Sequence, residues 1–184
     1  MRIVVGISGA SGAPYAMRLL EALKNLKVET HLVLTKAAER IIELETNLTK
    51  SEVIALATHH YDINDLEAPI SSGSFKTNGM VIIPCSTKTL AGVALGYSSN
   101  LLLRAADVTL KEGRKLVVVL RETPLNVIHI LNMYRVARAG AIVLPAMPAF
   151  HHKPKSIDDL INYIVGKVLD IFEIEHNLYR AWGV

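Results

Sequence analysis

Near the N-terminus, Gly6-Ile7-Ser8-Gly9-Ala10-Ser11-Gly12 follows directly on the apolar run Ile3-Val4-Val5. Small residues of this kind let backbone N–H groups close on an anion, and a helix beginning there adds a favourable partial charge. The plainer alternative is a tight strand-to-helix turn with Ser11 as N-cap. A second stretch, Ser86-Thr87-Lys88-Thr89, again sets hydroxyls and N–H donors where a helix should start. An ordinary N-cap accounts for Ser86 but not for all four residues. Arg121 ends the run Leu116–Leu120, and a guanidinium buried there would be costly without an anionic partner.

The first loop excludes two nucleotide classes. A P-loop needs Gly-Lys-Ser/Thr, which is missing. The dinucleotide fingerprint needs G-x-G-x-x-G and an acid at the end of the second strand. Here the glycines are spaced differently and the second strand ends Leu34-Thr35-Lys36, with no carboxylate for a ribose diol. A mononucleotide such as FMN is the remaining candidate.

These loops need a frame, and the chain supplies one as alternating strands and helices. Strands are expected over 2–8, 28–34, 59–62 (short and weak), 80–84, 116–120 and 141–144. Helical patterns cover 12–25, 37–44, 50–58, 88–95, 100–112 and 125–138, and a long final helix starts at Ser156. In the first helix Ala16, Leu19, Leu20 and Leu23 fall on one face, and Pro14 sits in the first turn, where a missing N–H costs nothing. Ser156 with Asp159 forms a capping-box start. Residues 68–79, rich in Ser, Gly and Pro, read as a loop. Strands without alternation, separated by helices, imply a parallel sheet covered on both faces. The expected fold is α/β, a single doubly wound Rossmann-like or flavodoxin-like sheet spanning residues 1–184, with ligands at the carboxyl ends of the strands.

Composition narrows the rest. Hydrophobic residues make up 51% of the 184, yet no apolar run approaches the roughly 18 residues of a membrane span. Subunit contacts explain the excess, so a homo-oligomer is expected. Net charge is only +3 and the basic residues form no run, which argues against nucleic acid. The single cysteine, Cys85, suits a reducing cytoplasm. The pairs His59-His60 and His151-His152 are not expected to hold a metal, because sequence neighbours rarely aim at one ion, and His152 reads as a solvated loop residue.

Several further segments make the pattern specific. Gly6–Gly12 with Ala13-Pro14-Tyr15, Thr35-Lys36-Ala37-Ala38, Glu43-Leu44-Glu45-Thr46 and Pro84-Cys85-Ser86-Thr87-Lys88-Thr89-Leu90-Ala91 resemble the UbiX-like flavin prenyltransferases. So do Arg104–Val108, Leu110-Lys111-Glu112, Arg121-Glu122-Thr123-Pro124-Leu125 and Pro145–Phe150, in order along essentially the whole chain. The resemblance implies transfer of a dimethylallyl group from dimethylallyl phosphate to N5 and C6 of reduced FMN, without metal. The prenylated FMN would then serve a UbiD-like decarboxylase.

Carried over residue by residue, Gly9, Ala10, Ser11, Thr35, Ser86, Thr87, Lys88, Thr89 and Arg121 would bind the flavin. Lys111, Arg121, His151, Lys167 and Trp182 would meet the prenyl phosphate, and Ser11, Glu45, Glu122 and Lys111 would take part in the chemistry. Without the resemblance, Glu45 reads as a charge on an exposed helix end and Lys167 as a solvated lysine. One departure stands out: His151 occupies the position of the family's Tyr, and imidazole can also donate to phosphate. The competing readings are an FMN-dependent cysteine decarboxylase of the related fold, and a non-catalytic flavin carrier.

Overall fold

The structure is a computed structural model that describes residues 1–180, 182 and 183. One parallel sheet contains β1 (Arg2–Ile7), β2 (Glu29–Leu34), β3 (His59–Tyr61), β4 (Gly79–Cys85), β5 (Lys115–Leu120) and β6 (Ile142–Val143). The spatial order is β3-β2-β1-β4-β5-β6. This is the Rossmann order, and without the short β3 it becomes the flavodoxin order, so both expected descriptions hold.

The helices are α1 (Ala13–Asn25), α2 (Lys36–Glu45), α3 (Lys50–Ile54), α4 (Thr87–Ala94), α5 (Leu101–Lys111), α6 (Val127–Arg138) and α7 (Ile157–Ile171). Central strands bury both faces, which is why their sequences do not alternate. Ile3, Val5 and Ile7 of β1 meet α1, α2 and α7 on one side, while Val4 with Met80 and Ile82 of β4 meets α4, α5 and α6 on the other. Each large aliphatic side chain so buried contributes about 1.5–3 kcal/mol.

Two elements are shorter than their sequence patterns. The helix expected over 50–58 stops at Ile54, because only Val53 is fully buried to anchor it. Thr58 is instead drawn to β2: its N–H donates to Thr30 Oγ1 at 2.9 Å, and the Thr30 N–H donates to Thr58 Oγ1 at 3.1 Å. The last strand is reduced to Ile142–Val143. A short 3-10 turn, Pro69–Ser71, lies inside the expected loop.

Candidate functional site

The strand order reverses between β1 and β4, and their loops leave toward opposite faces of the sheet. The crevice at such a reversal is the natural ligand site of an open α/β sheet. Here it is a cleft of about 1040 Å³, lined by Gly9, Ala10, Ser11, Thr35, Ser86, Thr87, Lys88, Thr89, Arg121 and Glu122. Every residue assigned to the flavin from sequence is in this wall.

Local hydrogen bonds explain how the wall is held. Ser8, buried, joins the two loops: its Oγ donates to the Pro84 carbonyl at 2.9 Å and accepts from the Ser86 N–H at 2.8 Å. Gly9 lies so close to α2 that a Cβ there would stand 2.3 Å from the Ala37 Cβ, so only glycine fits. Thr35 and Ser86 are N-caps of α2 and α4, accepting from the Ala38 N–H at 3.1 Å and the Thr89 N–H at 3.2 Å. Lys36 and Ala37 in the first turn of α2, and Thr87 and Lys88 in the first turn of α4, also border the cleft. Two helix N-termini therefore face one space, which suits a phosphate-bearing mononucleotide such as FMN.

The third helix start is arranged differently. Ser11 is not the N-cap of α1; that position is Gly12, whose φ of 114° favours glycine and which supplies no side-chain cap. Glu45, the last residue of α2, caps α1 instead. Its Oε2 accepts from the Gly12 N–H at 2.7 Å and the Ala13 N–H at 2.8 Å. Partial burial pushes the Glu45 carboxyl up, but hydrogen bonds from the Ser11 side chain and the two N–H groups, with the Arg121 charge, outweigh it and hold it below the ordinary carboxylate value. The same guanidinium lowers Tyr15, whose phenol burial nevertheless leaves raised. Ser11, Glu45, Tyr15 and Arg121 thus form one electrostatic unit beside the cleft. Arg121 is exposed, so no burial penalty demands its partner.

Other assigned residues lie elsewhere in this chain. Glu122 is at the cleft rim, exposed, with one carboxylate oxygen accepting from the Thr123 N–H at 3.0 Å. Lys111 ends α5 and pairs with Glu112 at 2.5 Å, near the opposite end of β5 from Arg121. Lys167 on α7 binds Asp170 at 3.1 Å, and this hydrogen bond raises its pKa. His151 and Trp182 meet edge to face, 5.2 Å between ring centroids. His152 is not solvated: its ring stacks on Tyr163 at 5.4 Å and both ring nitrogens are buried.

The cleft also includes Ile63, Asn64, Tyr97 and Asn100, which the sequence reading passed over. Asn100 could have been found as the N-cap of α5; Ile63 and Asn64 carry no local signal. Outside the cleft, Val127, Ile128, Ile130, Leu131 and Tyr134 make an exposed apolar face on α6.

Comparison with known proteins agrees with this geometry. A family model described as Flavoprotein matches residues 1–169. The chain is 54% identical over 182 residues to the flavin prenyltransferase UbiX of Thauera aromatica, covering 99% of this chain and 94% of that protein. The crystal structure of a dodecameric FMN-dependent UbiX-like decarboxylase from Escherichia coli O157:H7 superposes with a TM-score of 0.98 at 50% identity, covering 100% of both chains. A UbiX crystal structure in complex with FMN and dimethylallyl pyrophosphate gives 0.98 at 50% identity, covering 100% of this chain and 97% of that one. Sequence, fold and cleft converge, and the chain belongs to the UbiX-like flavin prenyltransferases of the flavoprotein family.

Proposed function

We propose that this chain joins a dimethylallyl group to N5 and C6 of reduced FMN, taking it from a dimethylallyl phosphate. The observation that carries this reading is the convergence of the flavin-directed residues on one cleft, with Ser11, Glu45 and Arg121 coupled beside it. The reduced flavin supplies the nucleophilic ring. The first turns of α2 and α4 hold its phosphate, and the Gly9 loop lets the backbone approach closely. Breaking the allylic C–O bond leaves phosphate and a cation-like fragment, so Arg121 and the donors around it offset the developing negative charge. Glu122 and Glu45 are the carboxylates for proton movement, and Ser11 shares its proton with Glu45.

Lys111 enters this scheme only across a contact between copies. It precedes β5, while Arg121 follows it, a span of about 20 Å at roughly 3.3 Å per residue. The exposed apolar face of α6 supplies the surface for an oligomer. Such assembly also lets His151, Lys167 and Trp182 approach a flavin held by another copy. We place the enzyme in the cytoplasm, in keeping with its single buried cysteine, and assign its product to a UbiD-like decarboxylase.

The deciding experiment is anaerobic incubation with reduced FMN and either dimethylallyl phosphate or dimethylallyl pyrophosphate, read by mass spectrometry. Gain of one dimethylallyl unit on the flavin is expected. Unmodified flavin with both donors would defeat the proposal.

A further inference from the structure

Away from the cleft, at the outer edge of the sheet, three metal-type ligands come together. His31 of β2 and His59 of β3 are register partners, and their rings stack at 4.7 Å between centroids. Glu29, two residues before His31 and therefore on the same strand face, places Oε1 3.0 Å from His31 Nε2 and 3.7 Å from His59 Nε2. The three ligand atoms all lie within 4.8 Å of one another. His31 is buried, and its Nδ1 hydrogen-bonds the Tyr61 hydroxyl at 2.9 Å, which fixes the ring with Nε2 toward Glu29. Proteins orient metal-ligating imidazoles in this way, one nitrogen tied to an outer partner and the other turned to the ion. His60 belongs to the other face of the strand, so the cluster depends on strand pairing and not on the His59-His60 neighbour pair.

We infer that Glu29, His31 and His59 form a binding site for one first-row transition-metal dication of the Zn²⁺ class. Zinc takes nitrogen and carboxylate ligands at about 2.0–2.2 Å in a tetrahedron, which sets ligand atoms roughly 3.3 Å apart. Glu29 and His31 already have nearly that separation. His59 is about half exposed and closes the remaining gap by turning its own side chain. A water takes the fourth position. Arg2 is the competitor: its Nε lies 2.8 Å from the same Glu29 oxygen and its guanidinium rests over the Phe75 ring at 4.5 Å.

The ion would be structural, because the site stands apart from the cleft. It would fasten β3, a three-residue edge strand, to β2. The chain leaving β3 provides Ile63 and Asn64 to the cleft wall, so the clamp steadies that wall at its root.

Zn²⁺ titration of the untagged full-length chain by calorimetry tests this, with Co²⁺ as a spectroscopic probe. The wild type is expected to bind one Zn²⁺ per chain at this site, with Co²⁺ giving visible ligand-field bands and Zn²⁺ raising the thermal midpoint. His59→Gln, at an exposed position, should keep the fold by circular dichroism and weaken binding at least about tenfold, the lower range seen even for outer-shell partners. His60→Gln should bind as the wild type does, and Arg2→Gln should bind more tightly. Absence of saturable Zn²⁺ binding in the wild type, or equal binding by His59→Gln, would overturn the inference.

Discussion

Glu45 and Gly12 are joined by a 2.7 Å hydrogen bond across 33 residues of sequence, the carboxylate at the end of one helix capping the start of another. The bond serves fold and chemistry together. It offsets the positive end of α1 and brings a carboxylate to Ser11 and Arg121. With Glu45 occupying the start of α1, the starts of α2 and α4 are the helix N-termini that border the cleft.

Replacing Glu45 with Ala should therefore cost stability as well as activity. Hydrogen bonds to a charged acceptor contribute about 1.5–3 kcal/mol, and loss of the cap should lower stability by about that amount. Glu45→Gln keeps an acceptor oxygen and should lose only about 0.3–1 kcal/mol, the charge–dipole share. The carboxyl is lowered in the folded protein, so its stabilisation is complete above the unfolded value and disappears as pH falls through the folded one. Urea unfolding should show the wild type losing its advantage over Glu45→Gln as pH drops below about 4, with none lost between pH 6 and 8.

Gly9→Ala should weaken flavin binding. Its new methyl would collide with Ala37 at 2.3 Å, pushing the loop away from α2 at a cost of about 1–3 kcal/mol. Gly9→Ala with Ala37→Gly removes the colliding atom and should recover part of the affinity. Flavin fluorescence titration measures both variants; equal binding by wild type and Gly9→Ala would show the loop does not approach the ligand.

Lys111 and Glu122 offer a test of sharing between copies. Glu122→Gln should bind flavin normally and turn over about 10²–10⁴ times more slowly, the usual range for general acid–base groups. Lys111→Ala should also be slow. If Lys111 serves a neighbour's cleft, co-assembled oligomers of the two variants should recover activity above either alone, since some clefts then hold both native residues. A mixture no more active than its parents would remove Lys111 from the mechanism.

How much of this was legible in the sequence depended on whether the signal was local. The loops Gly9–Ser11 and Ser86–Thr89 could be read because small and hydroxyl residues at a strand-to-helix junction carry their chemistry with them. The α7 capping box followed from Ser156 and Asp159, three residues apart, whereas the Thr35 cap of α2 has no such side-chain partner in the sequence. Glu45 showed only a charge at a helix end, because its partners lie in another element. Ser8 was hidden for the same reason, its contacts being 76 and 78 residues away. His59 looked like half of a neighbour pair, whereas strand register gives it to His31. His152 looked polar and solvated, and its burial against Tyr163 depends on how the 151–156 loop meets α7.

The His151 ring meets Trp182 edge to face at 5.2 Å and Tyr163 at 6.0 Å between centroids. These aromatic neighbours flank an exposed imidazole, and the proposed function gives it a hydrogen bond to the leaving phosphate. A charge-assisted bond of this kind contributes about 1.5–3 kcal/mol, or roughly 10- to 150-fold in binding. His151→Phe keeps the aromatic contacts and removes the donor. It should raise KM for dimethylallyl phosphate within that range and leave flavin affinity unchanged, because the flavin loops are formed by other elements. His151→Tyr supplies a hydroxyl donor in place of the imidazole and should restore most of the lost affinity. Steady-state kinetics at saturating flavin separates these outcomes. Equal KM for wild type and His151→Phe would reduce His151 to an aromatic spacer and leave the phosphate to Arg121 and the lysines.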